Sequence, residues 1–482
     1  MCSTPICFDA AFKPRGLTWG KLEGNHPMPL SSAPFFAFLA VVCLVFWLSA
    51  RSRQVQLVLL VAANLFFLAH FSLVYLALPL AALVDYGVGL GLGRLRNPIV
   101  RRPLLGVSLA VNLGVLLSLK LVPLLTHKSW RWLLPLTLSF YCFQSLTYTI
   151  DLYLGEMRPT HSPLAYLAGA LFFPSITAGP IPRMGKLLQQ LSSPFLLTTE
   201  DGAQALLLIG AGLVKKLLIA DFLANNLVDR IFDTPALYSS GEILIGVYGY
   251  ALQLFFDFSG YTDIARGTAM LLGIELPENF RRPYLAVNVA EFWRRWHITF
   301  SEWLRDYLFD FFPKRRKFPV LSYGYAFLLT FMLGGLWHGI SWNFLIWGAL
   351  HGLALGVVFA WKKRRTAPSP AWWAKLLGGL LTFHFVCFTW IFFRASTLAG
   401  ALQILRGLGA HTWSLANVTL PVALVLVAAA AAHCLPPSWF DRATRVTARA
   451  PFWVQGLAMA ALILLIQTLA GRGSAPFVYG NF

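Results

Sequence analysis

The sequence has few charged residues and few cysteines for its length. Only 12% of its 482 residues are charged, compared with about 25% in an average soluble domain. A chain that is 57% hydrophobic could not cover its own surface in water. The composition therefore excludes disordered, collagen-like and coiled-coil proteins and indicates a polytopic membrane protein. Of its six cysteines, only Cys2 and Cys7 lie near each other, so neither a disulfide framework nor a zinc site is predicted.

Acidic residues are scarcer than basic ones. The chain has 39 Lys and Arg against 20 Asp and Glu, which gives a net charge of +19. The basic residues lie in short loops between apolar runs, and this is the positive-inside pattern of membrane proteins. We therefore expect the lipid bilayer as a partner and no nucleic acid.

Several common catalytic motifs are absent from the sequence. It has no HExxH motif, no GxSxG motif and no P-loop, and it shows no metal-ligand spacing of His and Cys. Neither His297 nor His338 is followed five residues later by Asp, so the HxxxxD pattern of soluble acyltransferases is missing too. No metal site is predicted.

Long apolar runs are what the sequence has in abundance. Since a spanning helix needs about 20 apolar residues, the runs predict an all-α polytopic membrane protein with about 11–13 transmembrane or re-entrant helices. A further run at 163–182 contains four prolines, which predicts a re-entrant or kinked segment. The other runs lie near 34–50, 54–70, 73–93, 103–125, 132–154, 203–222, 243–258, 321–338, 342–361, 372–393, 418–435 and 452–470.

The first 27 residues differ from the rest. They contain charged residues and no apolar core, so they do not have the pattern of a signal peptide. Met28 precedes the first apolar run. We expect residues 1–27 to be a non-native or disordered extension and residues 28–482 to form a single membrane domain.

The block 281–317 interleaves Arg and Lys with Trp. Amphipathic helices of this composition lie in the membrane interface. The spacing of Trp293, Trp296 and His297 predicts one helical face. The basic end of the block, Lys314–Lys317, indicates the cytoplasmic side.

A charged pair is predicted within the same block. Glu291 and Arg295 are four residues apart, the spacing at which helical side chains form ion pairs. The positive charges of the block suit the phosphates of an anionic donor.

Polar residues within apolar runs are candidates for function, because such groups are costly at lipid depth. His338 could have either of two roles: a hydrogen-bonded structural histidine, or a general base that accepts a hydroxyl proton. Its neighbouring glycines would allow a substrate to approach closely. His297 is either paired with Glu302 or a carbonyl, or shares a tunnel with His338. The full set is Asp257, Asp263, Arg266, His297, His338, Asn343 and His351.

Four ordered motifs resemble the membrane-bound O-acyltransferase family, and within it the bacterial branch that contains the membrane subunit of alginate O-acetyltransferase. One departure from the family pattern is visible: residues 309–317 replace a loop of Gly-Gly-Asn-Arg type. The motifs are QLFFDFSGYTDIA (253–265), LPENFRRPY (276–284), EFWRRWHIT (291–299) and GGLWHG (334–339).

The resemblance implies many helices around a central tunnel, with His338 as the essential residue and His297 as the second family histidine. It implies transfer of an acyl group, typically acetyl, from a cytoplasmic donor to an extracytoplasmic hydroxyl. Acetyl-CoA would be the donor, with Arg294 and Arg295 as its contacts and no permanently bound cofactor. The partner would be a periplasmic SGNH-type acetyltransferase or the polysaccharide itself. The expected location is the bacterial inner membrane, and the expected process is alginate-like exopolysaccharide O-acetylation.

Three alternatives stay open at this point. The same chemistry could move D-alanine from a carrier protein onto teichoic acid. A non-catalytic transporter could move an acyl or sugar precursor, although matched halves of the kind that transporters use are not visible. A structural scaffold of an exporter would tolerate His338→Ala.

Overall fold

A computed structural model describes residues 28–71, 73–126, 135–314, 317–364 and 371–469. The predicted extension, residues 1–27, lies outside the described residues, as do Arg315 and Arg316 of the basic block. Throughout the described ranges the regular structure is helical and no strand occurs. The predicted all-α class is therefore confirmed.

The helices follow the apolar runs closely. In chain order they are α1 (Ala33–Leu48), α2 (Arg53–Phe71), α3 (Leu78–Arg94), α4 (Pro98–Thr126), α5 (Pro135–Leu154), α6 (Pro163–Ala170), α7 (Phe173–Ile176), α8 (Met184–Ser192), α9 (Thr199–Leu213), α10 (Asp221–Leu223), α11 (Asp229–Asp233), α12 (Ser240–Leu271), α13 (Val289–Trp293), α14 (Ile298–Trp303), α15 (Pro319–His338), α16 (Trp342–Arg364), α17 (Trp372–Arg394), α18 (Leu398–Gly409), α19 (Leu420–Cys434), α20 (Pro437–Arg449) and α21 (Phe452–Leu469). Wide π-helical turns at Val214–Ala220, Ala224–Val228 and Leu304–Phe309 extend α9, α10 and α14.

Eight helices in the described part of the chain are long and apolar enough to cross a membrane, or nine if α19 and α20, bent by 86°, form one span. The predicted 11–13 segments counted re-entrant helices as well as spans. Among the runs outside the present count, α1 has only 16 residues and the proline-rich run at 163–182 is broken. That run forms the short helices α6 and α7. The chain is a multi-pass membrane protein.

Helix α12 is much longer than its apolar run predicts. It continues for 32 residues, although the run was expected to end near residue 258. Asp263 and Arg266 interrupt the apolar pattern without ending the helix, because backbone hydrogen bonds of a helix do not depend on side-chain polarity. The charge of Asp263 is matched by Lys215.

The described chain divides into two compact units. The N-terminal unit comprises residues 28–218, 256–279 and 435–469. The histidine unit comprises residues 219–255 and 280–434. Helix α12 contributes its first half to the histidine unit and its second half to the N-terminal unit.

Candidate active site

His338 is the last residue of α15 and lies within a shell of aromatic rings. The centroid of its imidazole lies 4.4 Å from that of Trp337, 4.9 Å from Phe393, 5.4 Å from Trp347 and 5.8 Å from Phe344. Its side chain is buried, with 2% of the residue exposed. The sequence placed His338 at the turn between two apolar runs, and the structure confirms this position.

The glycines beside His338 allow helices to pack, which corrects their predicted role. A Cβ atom at Gly335 would lie 2.2 Å from the carbonyl oxygen of Phe344, and one at Gly339 would lie 2.6 Å from the Phe344 ring. The space at these two positions is therefore filled by α16 and is not left for a substrate. The packing role could not be predicted from the sequence, because small residues serve close helix packing and substrate approach equally well.

His297 lies at a break between two short helices. The predicted single helical face through Trp293, Trp296 and His297 is wrong, because α13 ends at Trp293 and α14 begins only at Ile298. His297 has a φ of 42°, a left-handed conformation that costs energy for a residue with a side chain. Such strained residues cluster at functional sites.

The segment from His297 to Phe309 packs along α15. Phe300 contacts Trp337 with ring centroids 4.4 Å apart, and Phe309 contacts Phe327 at 4.5 Å. The segment thus runs from the His338 end of α15 towards its first residues. Rings of the protein cover part of its aromatic side chains, and the interfacial location stays a prediction.

The two histidines belong to one aromatic cluster. The His297 ring stacks on Phe300 at 5.0 Å, Phe300 contacts Trp337, and Trp337 contacts His338. Two rings therefore connect the imidazoles. Burial lowers the pKa of His297 to about 3, so this imidazole is neutral at physiological pH.

The two arginines predicted to contact a donor differ in their surroundings. Arg295 forms the predicted ion pair with Glu291, and Glu291 also accepts a hydrogen bond from the backbone N–H of Val287 at 3.2 Å. Arg294 is exposed. Within the part of the chain that the structure describes, no ion pair or hydrogen bond engages its guanidinium group. Arg294 is thus the one of the two that is available to an anion.

His351 has a structural role. The indole Nε1–H of Trp293 donates to His351 Nδ1 at 3.2 Å. Nε2 must then carry the proton, and it donates to Thr389 Oγ at 2.9 Å. The Thr389 hydroxyl in turn donates to the carbonyl of Val386 at 2.8 Å. Because both ring nitrogens are engaged, His351 resembles the satisfied core histidine that a polar group at lipid depth requires.

The remaining polar candidates are spread over both units. Asn343 donates to the carbonyl of Ala395 at 2.7 Å in the histidine unit. Asp257 forms an ion pair with Lys216 at 2.7 Å in the N-terminal unit. The polar residues selected from the sequence therefore have different roles, because polarity at lipid depth does not distinguish a catalytic group from a group that is paired with a partner.

The sequence analysis missed Trp347, which stands beside His338, and Trp390, which stacks on Trp347. The two residues are 2% and 0% exposed, and their ring centroids lie 6.1 Å apart. Within the described ranges, neither indole Nε1–H has a hydrogen-bond partner. An unpaired buried donor costs about 1–3 kcal/mol, so the unpaired donor of Trp347 beside the imidazole suggests that a ligand supplies an acceptor. No sequence signal separates these two residues from packing tryptophans.

Both histidines are buried, with 1% of His297 and 2% of His338 exposed. A polar cavity of about 150 Å³ occurs in the histidine unit, lined by residues that include Arg230, Glu242 and Asn417. Neither His297 nor His338 lines this cavity.

The chain belongs to the membrane-bound O-acyltransferase family, whose model matches residues 124–398. It is 33% identical to "Probable alginate O-acetylase AlgI" of Pseudomonas putida, over 94% of this chain and 100% of the relative. It is 33% identical to the peptidoglycan O-acetyltransferase of Helicobacter pylori, over 77% and 78% of the two chains. It is 34% identical to the teichoic acid D-alanyltransferase of Bacillus subtilis, over 53% and 67%. The protein is an acyltransferase, which excludes the transporter and scaffold alternatives as its main role.

Proposed function

We propose that this chain transfers an acetyl group from a cytoplasmic thioester, acetyl-CoA, to an extracytoplasmic hydroxyl for O-acetylation of an exported polysaccharide. The acceptor is a hydroxyl of the polymer or of a periplasmic SGNH-type partner. The observation that carries the proposal is the buried imidazole of His338 with the unpaired indole donor of Trp347 beside it. The long match to an alginate O-acetylase supports the choice of acceptor, and the location would be the bacterial inner membrane.

The chemistry assigns His338 as general base. A neutral imidazole accepts the proton of the hydroxyl as its oxygen attacks the thioester carbonyl, and then returns that proton to the leaving thiolate. Negative charge develops on the carbonyl oxygen during the attack. The Nε1–H group of Trp347 is suited to stabilise this charge, because buried donors act strongly where water is excluded. His297 would position a reacting group.

The direction of acyl transfer is inferred from the basic residues at the ends of α15 and α16. Helix α15 begins directly after Lys317, and α16 ends with Lys362, Lys363 and Arg364, so the positive-inside rule places these ends in the cytoplasm. His338 lies at the opposite end of α15, and the acyl group must travel most of that helix to reach it. The exposed guanidinium group of Arg294 would bind a donor phosphate, whereas Arg295 is held by Glu291.

The proposal is tested by replacing His338. In cells, His338→Ala should abolish acetyl esters on the exported polymer and leave the amount of polymer unchanged, as measured by mass analysis of the glycan. His384→Ala is the matched control, because His384 is an exposed histidine on α17 and should leave acetylation normal. Normal acetylation in the His338 variant would reject the assignment.

A second candidate, D-alanyl transfer onto teichoic acid, is favoured by the match to the Bacillus subtilis enzyme. The two candidate functions differ in their acyl donor, and this difference can be tested. Membranes that contain the protein are supplied either with acetyl-CoA or with a carrier protein that bears a D-alanyl thioester, and the ester formed is identified by mass. Acetyl transfer supports the proposal, and transfer of D-alanine alone replaces it.

A further inference from the structure

A second buried acidic site lies in the N-terminal unit, at Asp85. Asp85 is fully buried in α3 and lies midway along the candidate span Tyr75–Arg94. It is nine residues from Arg94, which corresponds to about 14 Å along a helix. In a hydrocarbon layer of about 30 Å, this places its carboxyl group near the middle of the membrane.

The hydrogen bonds of this carboxyl group are strongly asymmetric. Oδ2 accepts from Asn112 Nδ2 at 2.8 Å and from Ser145 Oγ at 2.6 Å. Oδ1 accepts no hydrogen bond from any described residue. Asn112 Nδ2 also donates to the carbonyl of Ser108 at 3.0 Å, which fixes the orientation of this amide.

No described cation pairs with Asp85. Helices α4, α5 and α6 and the turn Leu73–Ala77 pack against α3. Arg101 on α4 donates to the carbonyls of Leu152 and Tyr153, both at 2.9 Å, and lies eleven residues before Asn112. The charged and titratable residues described on these elements and on α3 itself are Tyr75, Tyr86, Arg94, Arg101, Arg102, Tyr141, Cys142, Tyr148, Asp151, Tyr153 and Tyr166.

The same unit contains two aspartates that are paired with lysines. Asp257 is 2.7 Å from Lys216, and Asp263 is 2.5 Å from Lys215. Both aspartates therefore have a cation at contact distance, as a charge at lipid depth requires. Among the described residues, Asp85 has neutral donors only.

We propose that Asp85 is an intramembrane proton-binding site, occupied as a neutral carboxylic acid with its proton on Oδ1. A carboxylate accepts hydrogen bonds on both oxygens, whereas a carboxylic acid accepts on its carbonyl oxygen and donates from its hydroxyl. The two hydrogen bonds that Oδ2 accepts match the carbonyl oxygen of the second pattern, and Oδ1 accepts none from the described residues. Protonation also avoids an uncompensated charge in the membrane, whose burial costs several kcal/mol.

The proposal predicts which substitution the site tolerates. Asn has the shape of a neutral carboxylic acid, so Asp85→Asn should keep the unfolding midpoint close to that of the parent protein. Asp85→Ala removes the acceptor of Asn112 and Ser145 and should lower the midpoint clearly. This inference does not depend on the proposed function. It concerns a carboxyl group in a different unit, and it is tested by unfolding midpoints and infrared spectra rather than by acyl transfer.

The direct test is infrared difference spectroscopy of the full chain in lipid vesicles at neutral pH. The difference between the parent and Asp85→Asn should contain the carbonyl stretch of a protonated carboxyl group. The matched control, Asp263→Asn, should remove only carboxylate bands, because Asp263 is paired with Lys215. If Asp85→Asn removes carboxylate bands instead, the proposal is overturned.

A second measurement keeps the proposal testable if the variant does not fold. The parent protein alone is examined in H2O and in D2O, with and without NaCl at constant ionic strength. A protonated carbonyl band that shifts in D2O and is indifferent to sodium supports the proposal. Absence of that band overturns it, and loss of the band on adding sodium overturns it in favour of a cation site.

Discussion

The two units deal differently with polar side chains at membrane depth. In the N-terminal unit, charge is matched by charge: Lys216 pairs with Asp257, and Lys215 pairs with Asp263. In the histidine unit, the buried groups around His338 are rings, and the indole N–H groups of Trp347 and of Trp390, which stacks on Trp347, have no acceptor within the described residues. Matched charges hold a structure in one arrangement, whereas unpaired donors are ready for a ligand.

This difference explains why polarity alone is a poor guide to the active site. The ion pairs are as unusual in an apolar run as the histidines are, yet their partners account for them. In the histidine unit, the groups without a partner among the described residues include tryptophans, which look ordinary in a membrane protein. The comparison therefore directs attention to unsatisfied groups rather than to charged ones.

The largest expected effect concerns the ion pair of Lys216 and Asp257, which is almost fully buried, with the two side chains 8% and 1% exposed. Lys216→Met removes the cation beside a buried carboxylate and should lower the free energy of unfolding by about 3–5 kcal/mol. Lys215→Met is the matched control and should cost less, because the side chains of Lys215 and Asp263 are 27% and 14% exposed. Thermal and denaturant unfolding in detergent measure both. Equal losses would contradict the interpretation.

The next largest effect is expected at Trp347, where a substitution tests whether an unpaired donor of the histidine unit serves catalysis. Trp347→Phe keeps a ring and removes the Nε1–H, and we expect kcat to fall by about 100- to 1,000-fold with KM little changed, as for loss of one oxyanion donor. Trp361→Phe on the same helix is the control, because Trp361 is 62% exposed. An unchanged kcat with lower stability would show that Trp347 only packs.

The smallest expected effect on stability concerns how closely the helices of the N-terminal unit approach one another. A Cβ atom at Gly260 would lie 2.8 Å from the carbonyl oxygen of Gly212, so Gly260→Ala should lower stability by about 1–3 kcal/mol. At Gly114 nothing lies within 4 Å, and Gly114→Ala should be neutral or stabilising. If both substitutions behave alike, the close approach of α9 and α12 does not hold the ion pairs in place.

Much of the helical pattern could be predicted from the sequence. The run 321–338 became α15, 342–361 became α16 and 372–393 became α17, because a segment that avoids water must satisfy its own backbone. Prediction failed at α12, where Asp263 interrupts the apolar run without ending the helix. It failed again between Trp293 and His297, where helical spacing cannot reveal a break at a left-handed residue.

The site was predicted only in part. His338 and His297 were singled out from their motifs, and the structure brings them into one aromatic cluster. The roles of the neighbouring glycines and of Trp347 could not be predicted, because each depends on what the facing helix places opposite. Likewise, the difference between Asp85 and Asp257 is invisible until their partners are known.

Composition and order of residues by themselves determined that this chain crosses a membrane as helices and to which family it belongs, since both depend on local hydrophobicity and on contiguous motifs. Tertiary structure alone decided which buried polar groups are satisfied. Whether a lysine faces a carboxylate, or an indole faces no acceptor, depends on side chains far apart in the chain. The electrostatic free energy of a buried group depends on those neighbours at contact distance.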